Sequence, residues 1–161
     1  MLVETIRRTI AQTGADPSRI ELEITEGIEV ERDHRFLDVI ANLKGLGVRL
    51  AIDDFGTGFA SMSYLQSLDV DCLKIDRSFV SHAPDSPRDK SILRALRELT
   101  RDLGIVTVAE GIETERHEAC ITEIGIDEMQ GYRFARPMPE ADARGWLARD
   151  EVAAPRPADL D

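Results

Sequence analysis

Carboxylates recur in this chain at the ends of short apolar runs. Glu23 and Glu26 close the first run, Asp53 and Asp54 the second, Asp76 the third, and Glu110 and Glu113 the fourth; Lys74 lies inside the third and Gln130 in the fifth. If a parallel fold brought these run ends to one edge, so many acids would repel one another and lose water, so that either some protonate or hard cations bind them. Oxygen donors without a His or Cys among them suit Mg²⁺, Mn²⁺ or Ca²⁺ rather than zinc. The adjacent pair Asp53–Asp54 suits two ions, with one carboxylate bridging and its neighbour serving the second ion. Such a pair clamps the attacking and leaving oxygens of a phosphoryl displacement. Lys74 among the acids would orient a nucleophilic water or neutralise developing charge.

Each position taken alone has a plainer reading, because an acid after a strand is commonly a loop residue or a helix N-cap. Glu26 and Glu113 are the members that capping would explain best. Recurrence over four successive runs carries the chemical reading. His34, His82 and His117 lack partner spacing and read as surface residues. The triplet Asp54-Phe55-Gly56 also occurs in protein kinases, but no H-R-D catalytic loop or Gly-rich nucleotide loop accompanies it. Gly56 and Gly58 are expected to allow positive φ in a tight loop.

Positioning these groups requires strands alternating with helices. Apolar patterning predicts strands at Ile20–Thr25, Val48–Asp53, Cys72–Asp76, Ile105–Ala109 and Met129–Phe134. It predicts helices at Leu2–Thr13, Arg32–Leu43, a short one around Met62–Leu68, then Ser91–Leu103, Glu115–Ile124 and Glu140–Arg149. The class is α/β, a parallel sheet wound with crossover helices, with functional groups at the C-terminal strand ends. A Rossmann arrangement is excluded by the lack of G-x-G-x-x-G after a first strand. Residues 1–150 are expected to form one domain and 151–161 a loose tail.

Composition narrows the partners. The chain has 161 residues and a formal net charge of -11, which argues against nucleic-acid polymers. A phosphate-bearing ligand would need metal ions to invert the local field. Cys72 and Cys120 lie far apart and read as small core residues in a reducing compartment, so a cytoplasmic location is expected. No apolar run approaches the roughly 20 residues that span a bilayer, so no membrane partner is expected.

Five segments point to one family: Glu21–Glu26 (ELEITE), Ala51–Ser61 (AIDDFGTGFAS), Leu73–Val80 (LKIDRSFV), Val108–Thr114 (VAEGIET) and Met129–Phe134 (MQGYRF). In order and spacing they resemble the EAL domain, a family of bacterial phosphodiesterases that linearise the second messenger cyclic di-GMP. The resemblance implies part of a (β/α)8 TIM-type barrel, about five β/α units where a full barrel takes about 250 residues. It implies hydrolysis of cyclic di-GMP to linear pGpG with Mg²⁺ or Mn²⁺ at a two-metal site. By the same resemblance Glu23, Asp53, Asp54 and Glu110 are metal ligands, and Lys74 and Glu110 flank the hydrolytic water. Glu26, Asp76, Glu113 and Gln130 take supporting positions. The loop begun by Phe55, Gly56, Thr57 and Gly58 is tied to dimerisation, with Phe59 and Ala60 standing where Tyr and Ser are usual. Glu-Ala-Leu itself is absent, and with it the early strands that supply a glutamate and an asparagine to the first metal, so that first site is expected to be incomplete. Two readings stay open: a metal-dependent phosphodiesterase, or a catalytically inactive module that binds cyclic di-GMP or another protein. Exposed barrel edges and the loop at 54–61 are where a homodimer or partner chain is expected.

Overall fold

The computed structural model describes residues 1–25, 34–56, 65 and 68–148. Five strands make one parallel sheet: β1 (Glu21–Thr25), β2 (Arg49–Phe55), β3 (Cys72–Ile75), β4 (Val106–Ala109) and β5 (Glu128–Met129). Their spatial order follows chain order, β1-β2-β3-β4-β5. Sequential parallel order is the winding of a (β/α) barrel; a doubly wound sheet reverses order at its switch point. The described helices are α1 (Leu2–Thr13), α2 (His34–Lys44), α3 (Arg77–His82), α4 (Pro87–Leu103), α5 (Glu115–Ile124) and α6 (Glu140–Leu147). The α/β class expected from the sequence is the one observed.

Period-two alternation divides the sheet into two chemical faces. Leu22 and Ile24, Leu50 and Ile52, Leu73 and Ile75, and Ala109 join the main core with the apolar stripes of α2, α4 and α5, including Ile40, Leu43, Leu93, Leu96 and Ile121. The opposite face carries a separate small cluster, Ala51, Cys72 and Val108, buried beneath the acid-bearing positions. Glu23 pairs in register with Ala51, and Lys74 with Val108. A face reserved for small residues and acids leaves room that large side chains would fill.

Differences from the patterned expectation have local causes. Helix α3 lies where patterning assigns no element: the carboxylate of Asp76 accepts the Ser78 amide at 2.9 Å and starts it. Helix α4 begins at Pro87 rather than Ser91, because proline suits a first helical turn and Ser86 Oγ accepts the Asp89 amide at 3.2 Å. Strand β5 stops at Met129, well short of Phe134. The Gln130 carbonyl turns to the Ile112 amide, and the Phe134 amide closes a turn on Gly131. The expected helix at Met62–Leu68, the loop positions Thr57 and Gly58, Glu26, and the expected tail at 151–161 lie outside the described residues or mostly so. No described helix is long and apolar enough to cross a membrane.

Two carboxylates fasten the sheet near its N-terminal edge. Asp127 accepts both the Thr107 amide (2.8 Å) and hydroxyl (2.7 Å), and pairs with Arg97 at 2.9 Å. Asp71 accepts the Leu50 amide at 2.8 Å and the Lys44 ammonium at 2.7 Å. Burial pushes the Asp71 carboxyl upward, but the Lys44 and Leu50 hydrogen bonds outweigh it and hold the group below its ordinary value. A depressed folded pKa contributes stability above the unfolded value and loses it as pH falls. Stability measured by urea unfolding is therefore expected to drop below about pH 5. Asp71→Asn should lower stability at pH 7 and flatten that acid-side slope; an unchanged slope would remove Asp71 from this role.

Candidate functional site

Lys74 rises from the middle of β3, a strand whose four residues are all buried. Its ammonium meets three carboxylates from three neighbouring elements: Glu23 Oε1 at 2.6 Å, Asp53 Oδ1 at 2.9 Å and Glu110 Oε1 at 2.8 Å. The lysine side chain is only 10% exposed. Burial alone would drive such a lysine toward neutrality, but the hydrogen bonds it donates to Glu110, Glu23 and Asp53 prevail and hold it well above its ordinary value. A lysine so held stays charged at physiological pH. It acts by charge and by orienting hydrogen bonds, and never as a base.

The second feature arises from an irregularity in β2. Consecutive residues of a regular strand point to opposite faces, so Asp53 and Asp54 would be separated. The register of β2 against β3 shifts between Ile52 and Phe55, and Asp54 takes φ 54, a left-handed conformation unusual outside glycine. This bulge brings both acids to one place. One carboxylate oxygen each from Asp53, Asp54 and Glu110 lie within 4.8 Å of one another. The turn continues through Gly56 at φ 104, where any Cβ would run into the ring of Phe79. Phe55 packs against the main core and anchors the bulge from behind.

Glu110 follows β4 directly, its amide bonded to the Ile75 carbonyl at 3.1 Å. Beyond it Gly111 has φ 73, and a Cβ there would sit 2.5 Å from Arg77 Cβ. These residues open on a cleft of about 270 Å³ lined by Asp54, Asp76, Arg77, Glu110, Glu113 and Gln130, among others. Asp76 doubles as the α3 cap. Burial raises its carboxyl, and hydrogen bonds from Ser78 more than reverse this, leaving it below the ordinary range. A larger cavity of about 410 Å³, among Phe55, Ile75, Phe79, Leu93, Leu96 and Leu99, has only apolar lining and offers no group for this chemistry.

The structure thus sorts the residues singled out from sequence. Asp53, Asp54 and Glu110 form one compact trio. Glu23 lies beside it, its carboxylate engaged by Lys74. Asp76, Glu113 and Gln130 line the adjoining cleft, and Phe55 and Gly56 build the turn. Glu26, Thr57 and Gly58 lie outside the described residues. Arg77 was not singled out, although it lies within the segment Leu73–Val80 and adjoins Asp76. Three carboxylate oxygens with no nitrogen or sulfur donor fit a hard divalent cation such as Mg²⁺ or Mn²⁺ and do not suit zinc.

Comparison with known proteins agrees with this fold. The sequence model of the EAL domain matches residues 1–137. The cyclic di-GMP phosphodiesterase NbdA of Pseudomonas aeruginosa is 40% identical over 147 residues, 91% of this chain and 21% of that protein. The EAL domain of Mycobacterium smegmatis DcpA superposes with a TM-score of 0.86 at 38% identity, over 91% of this chain and 66% of that one. BlrP1 of Klebsiella pneumoniae, solved as a manganese and cyclic di-GMP complex, gives a TM-score of 0.79 at 32% identity, over 84% of this chain and 34% of that one. The chain spans about a fifth of the length of the curated relatives it matches.

Removing the ammonium would leave three clustered carboxylates without a counter-charge. Lys74→Met is expected to destabilise the metal-free protein by about 3–5 kcal/mol in urea unfolding with a chelator present. Added Mn²⁺ should restore more stability to the variant than it adds to the parent. Equal stability of the two proteins in chelator would show that the ammonium does not hold the cluster together.

Proposed function

We propose that this chain, which belongs to the EAL domain family, takes part in metal-dependent hydrolysis of cyclic di-GMP to linear pGpG. The observation that carries the reading is the trio Asp53, Asp54 and Glu110, gathered within 4.8 Å and flanked by a protonated Lys74. NbdA is a cyclic di-GMP phosphodiesterase, and BlrP1 holds manganese and cyclic di-GMP, which supports carrying that substrate and cofactor class to this cleft.

In this reading Asp53, Asp54 and Glu110 hold Mg²⁺ or Mn²⁺, which supplies Lewis-acid polarisation of a phosphoryl oxygen. Glu110 also faces the entering water and receives its proton. Water oxygen bonds to phosphorus, one phosphodiester P–O bond breaks, and the leaving ribose oxygen takes up a proton. Lys74 supports the charge that accumulates on the phosphoryl oxygens while remaining protonated throughout. Asp76, Glu113 and Gln130 shape the cleft around the ring of the dinucleotide. Glu23 belongs here to the lysine, steadying its position, and becomes a ligand of a first ion only where further donors adjoin it.

That last point favours a second reading. Glu23 is held by Lys74 and lies outside the trio, and the chain spans 66% of the DcpA domain it superposes on. A module with one metal position would bind cyclic di-GMP, or a protein partner, without turning the nucleotide over. The lateral edges of the described sheet, β1 and β5, are the surfaces at which a second chain would pair. A reducing, cytoplasmic setting suits the two buried free thiols.

Release of pGpG from cyclic di-GMP in Mg²⁺ or Mn²⁺ decides between the readings. Turnover that falls at least about 100-fold in Asp53→Ala and in Glu110→Ala is expected for the enzyme. Binding of cyclic di-GMP without pGpG at any metal concentration would leave the module.

A further inference from the structure

The residues lining the cleft include four acids, Asp54, Asp76, Glu110 and Glu113, and one exposed arginine, Arg77. Such a cation would ordinarily be consumed by its acidic neighbours. Arg133 pairs with Glu115 and Glu118, Arg116 with Asp85, and Arg97 with Asp127. Among the described residues Arg77 enters no such close pair, and its charge acts on the neighbouring Asp76, helping to hold that carboxyl low. The neighbouring Asp76 carboxylate is turned instead to the α3 amides, accepting Ser78 at 2.9 Å.

A second observation fixes where the arginine starts. Gly111, the residue after Glu110, lies so close that a Cβ would come within 2.5 Å of Arg77 Cβ and 3.3 Å of its Cα, at a φ of 73 that side chains rarely adopt. The stem of Arg77 is therefore seated against the turn that presents Glu110. Its position is thereby tied to the turn beside the trio. A guanidinium so placed matches oxyanions, which it binds through two parallel N–H donors.

We propose that Arg77 is a substrate-binding residue of this cleft, gripping a phosphate of the cyclic dinucleotide and so admitting an anion to a surface that otherwise repels one. The inference rests on the reading of the cleft as a cyclic di-GMP site and names the group within it that recognises the ligand's charge. A compact ammonium in the same place would supply charge without the paired donors. Lysine at this position is therefore an incomplete substitute.

The test compares the full chain with Arg77→Gln and Arg77→Lys, measuring cyclic di-GMP binding by titration calorimetry in Ca²⁺ and Mn²⁺ binding by electron paramagnetic resonance. Arg77→Gln is expected to weaken cyclic di-GMP at least about tenfold, Arg77→Lys by less, since each charge-assisted contact carries such a factor. Mn²⁺ affinity should stay the same or rise, because a nearby positive charge has gone. Gly111→Ala, which displaces the arginine stem without altering its charge, should weaken the nucleotide in the same direction as Arg77→Gln. Cyclic di-GMP affinity within twofold of the parent in Arg77→Gln would overturn the proposal. So would parallel loss of Mn²⁺ and nucleotide affinity, which would make Arg77 a support of the metal trio. No binding of cyclic di-GMP by the parent chain, with Mn²⁺ still bound, would instead overturn the reading on which the proposal rests.

Discussion

The interaction on which this site depends is one buried ammonium shared by three carboxylates. Lys74 reaches Glu23, Asp53 and Glu110 at 2.6, 2.9 and 2.8 Å. Those acids come from β1, β2 and the turn after β4, so a single charge ties four segments of the sheet into one constellation. Burying any one of these groups alone would be unfavourable, and burying three acids without a cation more so. The lysine is thus a structural counter-ion before it is anything else. The same contacts that stabilise the fold fix its protonation, which removes it from the list of possible bases. In the hydrolytic reading the proton of an attacking water would go to a carboxylate, and Asp53 and Glu110 both adjoin the lysine within the trio.

Around this charge the sheet is arranged by two departures from regular geometry. The bulge at Asp53–Asp54 defeats the alternation that would send neighbouring acids to opposite faces, at the cost of a left-handed φ at Asp54. The tight approach of Gly56 to Phe79 and of Gly111 to Arg77 forces both turns close to α3. Helix α3 is therefore the bracket that holds the rims of β2 and β4 at a fixed separation. At the far edge of the sheet, Asp71 and Asp127 tie strand amides without contributing to the cleft. Strain is confined to the functional end, and the opposite end carries the carboxylates that anchor the strands.

Much of this was legible in the residues. Alternation in Glu21–Thr25 and Arg49–Asp53 announces strands with one acidic face, and the boundaries of α1 and α5 follow from apolar spacing alone. Gathering of acids at the strand ends was legible as well, because a parallel sheet has only one edge where its C-terminal ends meet. What escaped depends on contacts distant in sequence. Nothing local says that Asp54 adopts a positive φ, since that conformation is imposed by pairing with β3. Helix α3 was hidden because its cap, Asp76, reads equally well as a strand-end acid, and prolines 84 and 87 suggest a loop. The partition of Glu23 toward Lys74 was not legible either. Sequence lists the acids, but only distances reveal that Glu23 shares the ammonium while lying outside the trio.

Charge accounting sets the last constraint on what the cleft can accept. Lys74 is shared among Glu23, Asp53 and Glu110, so its charge acts at the reacting end and does not reach along the cleft. Asp54, Asp76 and Glu113 add three further carboxylates to the lining, in a chain whose formal net charge is already -11. A phosphodiester approaching this surface meets a repulsive field unless cations precede it. Divalent ions on the trio would answer that repulsion at the reacting end, where Asp53 and Asp54 face the same way. They would not answer it further along the cleft, beside Asp76 and Glu113, and a dinucleotide ring long enough to reach there carries a second phosphate. A guanidinium at the acidic end, the role proposed for Arg77, would answer it there. Metal loading and anion entry are then coupled steps, because the field that excludes the ligand is the same one that draws in the ions.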